Sequence, residues 1–576
     1  MRNGPVAILI AAAAGTSHPA LSAGQSPAST ASTAVVREGL GATIDTFLTR
    51  AATHGLSGAI VVARDGEVIL RKGYGAADRA RGIDVTAETP FFIGSLAKQF
   101  TAAATLRLAA DGKLALDDTL GAFFPNAPAD KRAITLRQLL SHTSGLPYLP
   151  SAGLFGRGSR DSVMREMLAE PLAFAPASRY EYSTPGYILL AGVIERASGL
   201  TYEQYLRTLF ERAGLESTGF LGERERWSVW PIRSYSDDTP EAALADVPSL
   251  PRFVGAGSIV STVDDLYRWY GAVLDGDLLP NAQRDTLFMP MVRLGPNLQE
   301  ALTWMLVSLP TGTLRQAAGD IGGFNAELRH YVDERLVVVF ASNARVRGRG
   351  YRELVLNYVA RISRGERLPL PPPVAPVAAS TLAGYAGTYT LDDSGTVELW
   401  MSGDSLLMGA TDRAGLTALA GHAEEEARRA RVLDERARSV LASLESDTLA
   451  VTFMHASIPA DARRSYLAKV LKLIGDSVSS RASVIGTAVD SPNGARSYVR
   501  IRRADGDEVI SLVWSGGMLV GLEPAGRAAY VVRLRGESDE ALAAFDLFTG
   551  HLVRVSRISD REIEIEANGV TWRARR

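Results

Sequence analysis

Ser95 and Lys98 stand three residues apart in the segment FFIGSLAKQF, residues 91–100. At the start of a helix that spacing puts both side chains on one face and within one turn. The pair brings an amine beside a hydroxyl. A serine hydroxyl is a poor nucleophile until a neighbouring base takes its proton. A lysine can be that base if burial or nearby positive charge lowers its pKa. The first turn of the helix would also aim backbone N–H groups at an oxyanion forming on Ser95. Taken alone, S-x-x-K is a weak signal, because a lysine on a helix is usually just solvated.

Other chemistries find little support. The 576 residues include no cysteine, which excludes disulfides, zinc–cysteine sites, iron–sulfur clusters and a thiol nucleophile. His18, His54, His142, His330, His422, His455 and His551 are scattered without metal-ligand spacing, so no metal and no cofactor is expected. Lys+Arg is 62 against Asp+Glu 64, an even balance that argues against a nucleic-acid partner. The Gly-rich pieces at 255–258 and 347–350 lack the lysine and spacing of phosphate loops.

The elements that must position Ser95 are legible. Ser57–Leu70 reads as a β-hairpin turning at Asp65-Gly66. Ser95 to about Asp111 reads as a helix closed by Gly112. Gly186–Ala197 is a second apolar helix, closed by Gly199, and Thr262–Leu274 a third, opened by Ser261 or Thr262. Arg335–Ala341 reads as a buried strand. Helices between an early hairpin and late strands suggest an antiparallel sheet packed with helices.

Six segments in order then resemble the serine β-lactamase and penicillin-binding-protein superfamily, in its class C-like branch of esterases, D-aminopeptidases and DD-carboxypeptidases. They are residues 91–118, ITLRQLLSHTSGLP (134–147), YEYSTPGYILLAGVIERASG (180–199), GAGSIVSTVDDLYRW (255–269), GDIGGFNAELRHY (319–331) and RLVVVFASN (335–343). The resemblance implies an α+β fold: an antiparallel sheet flanked by helices, with an all-helical subdomain and the active site between them. It implies that Ser95 is the acylated nucleophile, Lys98 its base, and Tyr182 the proton relay. A nearby lysine ammonium would pull the Tyr182 pKa down. The Ser95 and Asp320 N–H groups would form the oxyanion hole. His142 would line a turn and play a structural part.

Two positions depart from the family pattern. Thr184 stands where the second motif usually has Asn, and offers a shorter hydroxyl to Lys98 or substrate. Ala317-Ala318-Gly319 stands where the third motif usually begins with Lys or His, so the cation is absent. Arg315 lies two residues earlier on the same strand face and could partly restore that charge. The expected substrates are therefore small uncharged acyl esters or amides, with peptides, D-amino acid derivatives and β-lactams still within the class. A degenerate binding or sensor protein with little turnover is the alternative. Nothing in the sequence sets the oligomeric state.

Arg2, the apolar run Val6–Ala14 and the small residues Ala20, Ser22 and Ala23 have the order of a secretory signal over 1–23, so an exported, periplasmic or secreted, protein is expected. No stretch is long enough to span a bilayer. A flexible leader at 24–38 precedes the hydrolase domain, 39–363. The Pro-rich run Leu368–Ala378 marks a linker over 364–380. Leu382–Tyr389 (LAGYAGTY) and Phe545–Val553 (FDLFTGHLV) resemble strands of lipocalin-like β-domains, which implies a discontinuous β-domain over 381–420 and 526–576 carrying an α+β insert at 421–525. Within the insert, Glu424–Leu444 and Ala460–Ile474 are predicted helices.

Overall fold

The computed structural model describes residues 34–151, 158–227, 232–236, 239–240, 251–276, 278–346, 349–392, 395–403, 405–420, 424–443, 481–489, 494–503, 506–538, 541–545, 547, 551–567 and 569–576. The signal segment, most of the leader and the expected helix at 460–474 lie outside the described residues. The chain divides into two compact units. One is Gly55–Glu366 with the chain before Thr49; the other is Arg367–Arg576 with Thr49–His54.

The first unit is built on a nine-stranded sheet. Its order is Val35–Val36, Glu67–Tyr74, Gly58–Arg64, Leu336–Ser342, Phe324–Tyr331, Gly312–Ile321, Met305–Leu309, Leu298–Glu300 and Val292–Gly295. Every neighbouring pair is antiparallel. The early hairpin forms because Asp65 (φ 55°) and Gly66 (φ 81°) both take the left-handed conformation that a two-residue turn requires. The near-continuous apolar run 336–342 becomes a central strand between Gly58–Arg64 and Phe324–Tyr331, where a run of this kind is satisfied on both faces.

Helices cover the sheet and form a separate layer. The helix Lys98–Ala110 buries all but a few of its side chains, and Gly112 (φ 69°) follows its end. It packs against Thr184–Ser198, which starts at the Ser183 cap and stops at left-handed Gly199. The third expected helix runs Val263–Leu274, with the Thr262 side chain accepting from the Asp265 N–H. One apolar core joins these helices to the inner sheet face, with Phe100 stacked on Trp269 at 4.2 Å.

In the second unit, eight strands from Gly387–Leu391 to Val570–Arg575 close into a barrel. Gly387–Leu391 pairs with Val570–Arg575, and Ser405–Ala410 pairs with Ala529–Gly536. Between those last two strands the chain builds a separate four-stranded sheet, Ala482–Val489, Gly494–Ile501, Glu508–Ser515 and Met518–Gly526. The helix Glu424–Ser443 packs on that sheet through Leu433, Ala437, Val440 and Leu441, the face its apolar spacing marks.

Candidate active site

Ser95 sits in a one-turn 3-10 helix, Gly94–Ala97, that leads directly into Lys98–Ala110. Its neighbours in that turn are buried, and Ser95 alone is partly open. The turn is held by close backbone approach. Gly94 has φ 51°, and a Cβ there would lie 2.8 Å from the Asp320 nitrogen and oxygen. A Cβ on Gly319 would meet the Ile93 carbonyl at 1.9 Å and the Ser95 nitrogen at 2.6 Å. The Gly319–Asp320 backbone is thus pressed against the backbone of the Ser95 turn. Two side-chain-free positions permit it.

Lys98 is 1% exposed. Its Nζ lies 3.2 Å from Ser95 Oγ and donates to the Ala256 carbonyl at 2.9 Å. That carbonyl comes from the Gly-rich segment 255–258. Gly255 (φ 80°) passes so near the Tyr187 carbonyl that a Cβ would approach it to 2.4 Å, and its own carbonyl accepts from Thr101 Oγ1 at 2.6 Å. The segment is a structural clamp that supplies Lys98 with an acceptor. Burial drives the Lys98 pKa down to about 7, with Glu300 opposing by its charge. Half the amine is then neutral near neutrality, which is the state a general base needs.

Tyr182 completes the cluster. Lys98 Nζ is 4.9 Å from its ring centre, and its hydroxyl is within hydrogen-bonding reach of Ser95. Burial pushes the Tyr182 pKa up, and the Ser95 hydrogen bond only partly offsets this. The expected downward pull of a lysine ammonium does not prevail, because the same burial that raises the phenol also discharges the amine. Near neutrality the phenol is protonated and the amine is divided between its neutral and charged forms.

The remaining sequence-derived residues fall in two places. Ala317 is buried on the strand face that presents Gly319, and the expected cation position is apolar. Thr184 is buried in the first turn of its helix, where its N–H donates to the Tyr148 carbonyl at 3.0 Å. Asp320 turns its carboxylate outward to Arg352 at 2.6 Å and Arg345 at 3.6 Å. Arg315 lies elsewhere. Its guanidinium sits 4.2 Å over the Phe288 ring, beside Tyr270, in a cleft of about 520 Å³ also lined by Asp275, Arg284, Asp285 and His330. Engaged there, it does not stand in for the missing cation.

Two residues enter the site without having been expected there. His142 is 1% exposed and tilted against Tyr182, ring centres 4.4 Å apart. Its left-handed backbone (φ 58°) is uncommon for a non-glycine residue. Glu300 is 3% exposed, with its Oε1 3.5 Å from His142 Nε2. The HTSG segment carried a signal for His142 as a chemistry-bearing residue. Nothing marked Glu300, since a single acid at a strand end has no pattern. Among the described residues no group of three metal-ligating side chains occurs.

A partly open serine backed by a buried amine, between an antiparallel sheet and a helical layer, fits a protein of the β-lactamase and penicillin-binding type. The chain belongs to the beta-lactamase family, whose model matches residues 40–359. It is 34% identical over 228 residues to esterase EstB of Burkholderia gladioli, covering 36% of this chain and 57% of EstB. It is 31% identical over 239 residues to PbpX of Bacillus subtilis (strain 168), covering 41% of this chain and 59% of PbpX. The chain therefore spans less than two thirds of the length of these relatives. Among solved structures, the octameric penicillin-binding protein homologue from Pyrococcus abyssi is similar over 92% of this chain and 99% of its own, with a TM-score of 0.51 and 16% identity, a likeness of fold.

The backbone contact at Gly319 gives a direct test. Gly319→Ala must displace either the strand or the Ser95 turn. It is expected to lower stability by about 2 kcal/mol in denaturant unfolding and to reduce kcat more than it raises KM. Wild-type stability and kcat in this variant would mean that the contact has no consequence.

Proposed function

We propose that the protein is a serine hydrolase that forms an acyl-enzyme on Ser95 and hydrolyses small uncharged esters or amides. The observation that carries this reading is the buried Lys98 amine, 3.2 Å from Ser95 Oγ, with its pKa lowered to about 7. Neutral Lys98 accepts the Ser95 proton as Oγ attacks the acyl carbon. The carbonyl π bond opens, and the oxyanion is received by the Ser95 and Asp320 N–H groups, which the close packing of residues 94–95 on 319–320 holds together. Collapse re-forms the carbonyl and expels the alcohol or amine. Its proton comes from the Lys98 ammonium, relayed through the Tyr182 hydroxyl. Water then attacks the acyl-enzyme by the same proton path in reverse and releases the acid.

The substrate preference follows from the charges. Ala317 leaves the third-motif position apolar and Arg315 is occupied against Phe288, so no side chain described here supplies a cation for a substrate carboxylate at that position. The rim is apolar instead: Tyr148 and Leu149 are 55% and 44% exposed, and the Tyr148 ring lies 5.8 Å from that of Tyr182. Similarity to an esterase supports the same choice.

A fluorophosphonate probe and a substrate panel test the reading together. The wild type is expected to be labelled and to turn over p-nitrophenyl butyrate with a kcat/KM at least about tenfold above that for nitrocefin, a difference of ~1.4 kcal/mol in transition-state binding. Ser95→Ala is expected to abolish labelling and to cut kcat roughly a thousandfold or more. Labelling without turnover would instead support a slow trap or sensor. No labelling would remove the hydrolase assignment.

Export belongs to the same proposal. The support is the charge and apolar run at Arg2–Ala14, the small residues near Ala23, and a chain without cysteine. Among the described residues no helix is long and apolar enough to cross a membrane. Expression of the full chain in a bacterial host should yield a periplasmic or secreted form whose N-terminal sequence begins near residue 24. A cytoplasmic product that keeps Met1 or Arg2 would contradict this.

A further inference from the structure

Glu300 is a carboxyl group with no role in the steps above, buried beside the residues that perform them. It ends the strand Leu298–Glu300. The tight turn after it, with Ala301 N–H donating to the Trp304 carbonyl at 2.8 Å and Thr303 at φ 71°, fixes where the strand stops. Glu300 Oε2 is buried with no hydrogen-bond partner, and Oε1 lies 3.5 Å from His142 Nε2. The Tyr180 hydroxyl is within hydrogen-bonding reach of the carboxyl. A carboxyl this deep costs several kcal/mol to charge, so a purely structural site would more cheaply hold an apolar side chain.

His142 connects Glu300 to the catalytic tyrosine. Its Nδ1 accepts the Ser183 N–H at 3.0 Å, and its carbonyl accepts the Glu181 N–H at 3.0 Å. The residues on both sides of Tyr182 are thus tied to one histidine, whose ring also lies against the phenol. With Nδ1 accepting, a neutral ring carries its proton on Nε2, the nitrogen that faces Glu300. Burial and the nearby Lys98 amine hold the His142 pKa well below the usual imidazole value, which keeps the ring neutral. His142 Nε2 has no hydrogen-bond partner and sits 3.5 Å from Glu300 Oε1, so Tyr180 and Tyr182, two residues apart, both lie near Glu300, the second with the His142 ring between them.

We propose that Glu300 is a positioning residue for the hydrolysis: through His142 and Tyr180 it holds Tyr182 against Ser95, and its charge state biases Lys98. The proposal rests on the acyl-enzyme reading of Ser95 and Lys98. The groups that face Glu300 are Lys98, His142, Tyr180, Tyr182 and Tyr187, the last with its hydroxyl donating to the Leu140 carbonyl at 2.7 Å. Burial raises the Glu300 pKa to about 8. Burial favours its uncharged form, and the nearby Lys98 ammonium opposes this by its charge. Its ionised form favours the charged form of Lys98, so the two protons belong to a coupled pair. Removing the carboxyl removes that opposition, and the Lys98 titration moves to lower pH.

Three variants, Glu300→Gln, Glu300→Leu and Tyr180→Phe, are compared with the wild type by pH profiles of kcat and kcat/KM on p-nitrophenyl butyrate, with folding checked by circular dichroism. Glu300→Leu is expected to lose kcat roughly tenfold or more with KM within about threefold, and Glu300→Gln to recover most of that loss. In both, the acidic limb of kcat/KM should move down by roughly half a pH unit or more. Tyr180→Phe, which keeps the ring, should lose kcat by a few fold with KM unchanged. It decides the question if the Glu300 variants do not fold. Wild-type kcat and an unmoved acidic limb in folded Glu300→Leu would overturn the proposal. Equal losses in Gln and Leu with an unmoved limb would overturn it too, since they would mark a packing role only. With neither Glu300 variant folded, wild-type kcat in Tyr180→Phe would do the same. A wild type that neither labels nor turns over fails at the hydrolase reading instead, and takes this proposal with it.

Discussion

The burial of one amine governs the active site. Lys98 sits under Ser95 with a single backbone carbonyl and the serine oxygen as hydrogen-bond partners. An ammonium in that setting is poorly solvated, and the protein relieves the cost by releasing the proton. Everything around it serves that condition. The helix Lys98–Ala110 is apolar over most of its surface, the Gly255–Ala256 backbone closes the pocket from one side, and the rings of Tyr182 and Tyr187 lie 4.9 and 5.6 Å from the nitrogen. The same low-dielectric surroundings keep Tyr182 protonated and His142 neutral. Burial does the work that a neighbouring positive charge could do, at a position where Ala317 leaves that charge out.

Much of the framework was legible in the sequence because it obeys local rules. Asp65-Gly66 could only be a tight turn, Gly112 and Gly199 close helices by their left-handed backbone, and the run 336–342 is too apolar for an edge strand. Ser95, Lys98 and Tyr182 stood out because spacing and motif order mark them, and the fold brings them together. For the C-terminal region the sequence offered only a resemblance of Leu382–Tyr389 and Phe545–Val553 to strands of one kind of β-domain, and in the structure Gly387–Leu391 pairs with Val570–Arg575.

What stayed hidden depends on tertiary placement. Strand alternation put Arg315 on the face of Ala317 and Gly319, but alternation says nothing about how far along the strand the pocket extends, and Phe288 captures the guanidinium first. His142 read as a turn residue because its reach to Tyr182 is made by a left-handed backbone that no local pattern announces. Glu300 is distant from every motif in the chain and meets them only in space. The Gly-rich 255–258 segment was recognised as unlike a phosphate loop, but its service to Lys98 through a carbonyl has no side-chain signature.

The central claim is that Ser95 is activated by a Lys98 amine that is neutral near physiological pH. The most direct measurement is the second-order rate of fluorophosphonate labelling of Ser95 as a function of pH, in the wild type. The lowered Lys98 pKa predicts a rate that rises about tenfold per pH unit below its midpoint, passes that midpoint near pH 7 and then levels off. A rate that is flat from pH 5 to 9, or one that keeps rising towards the ordinary lysine value near pH 10, would contradict the account.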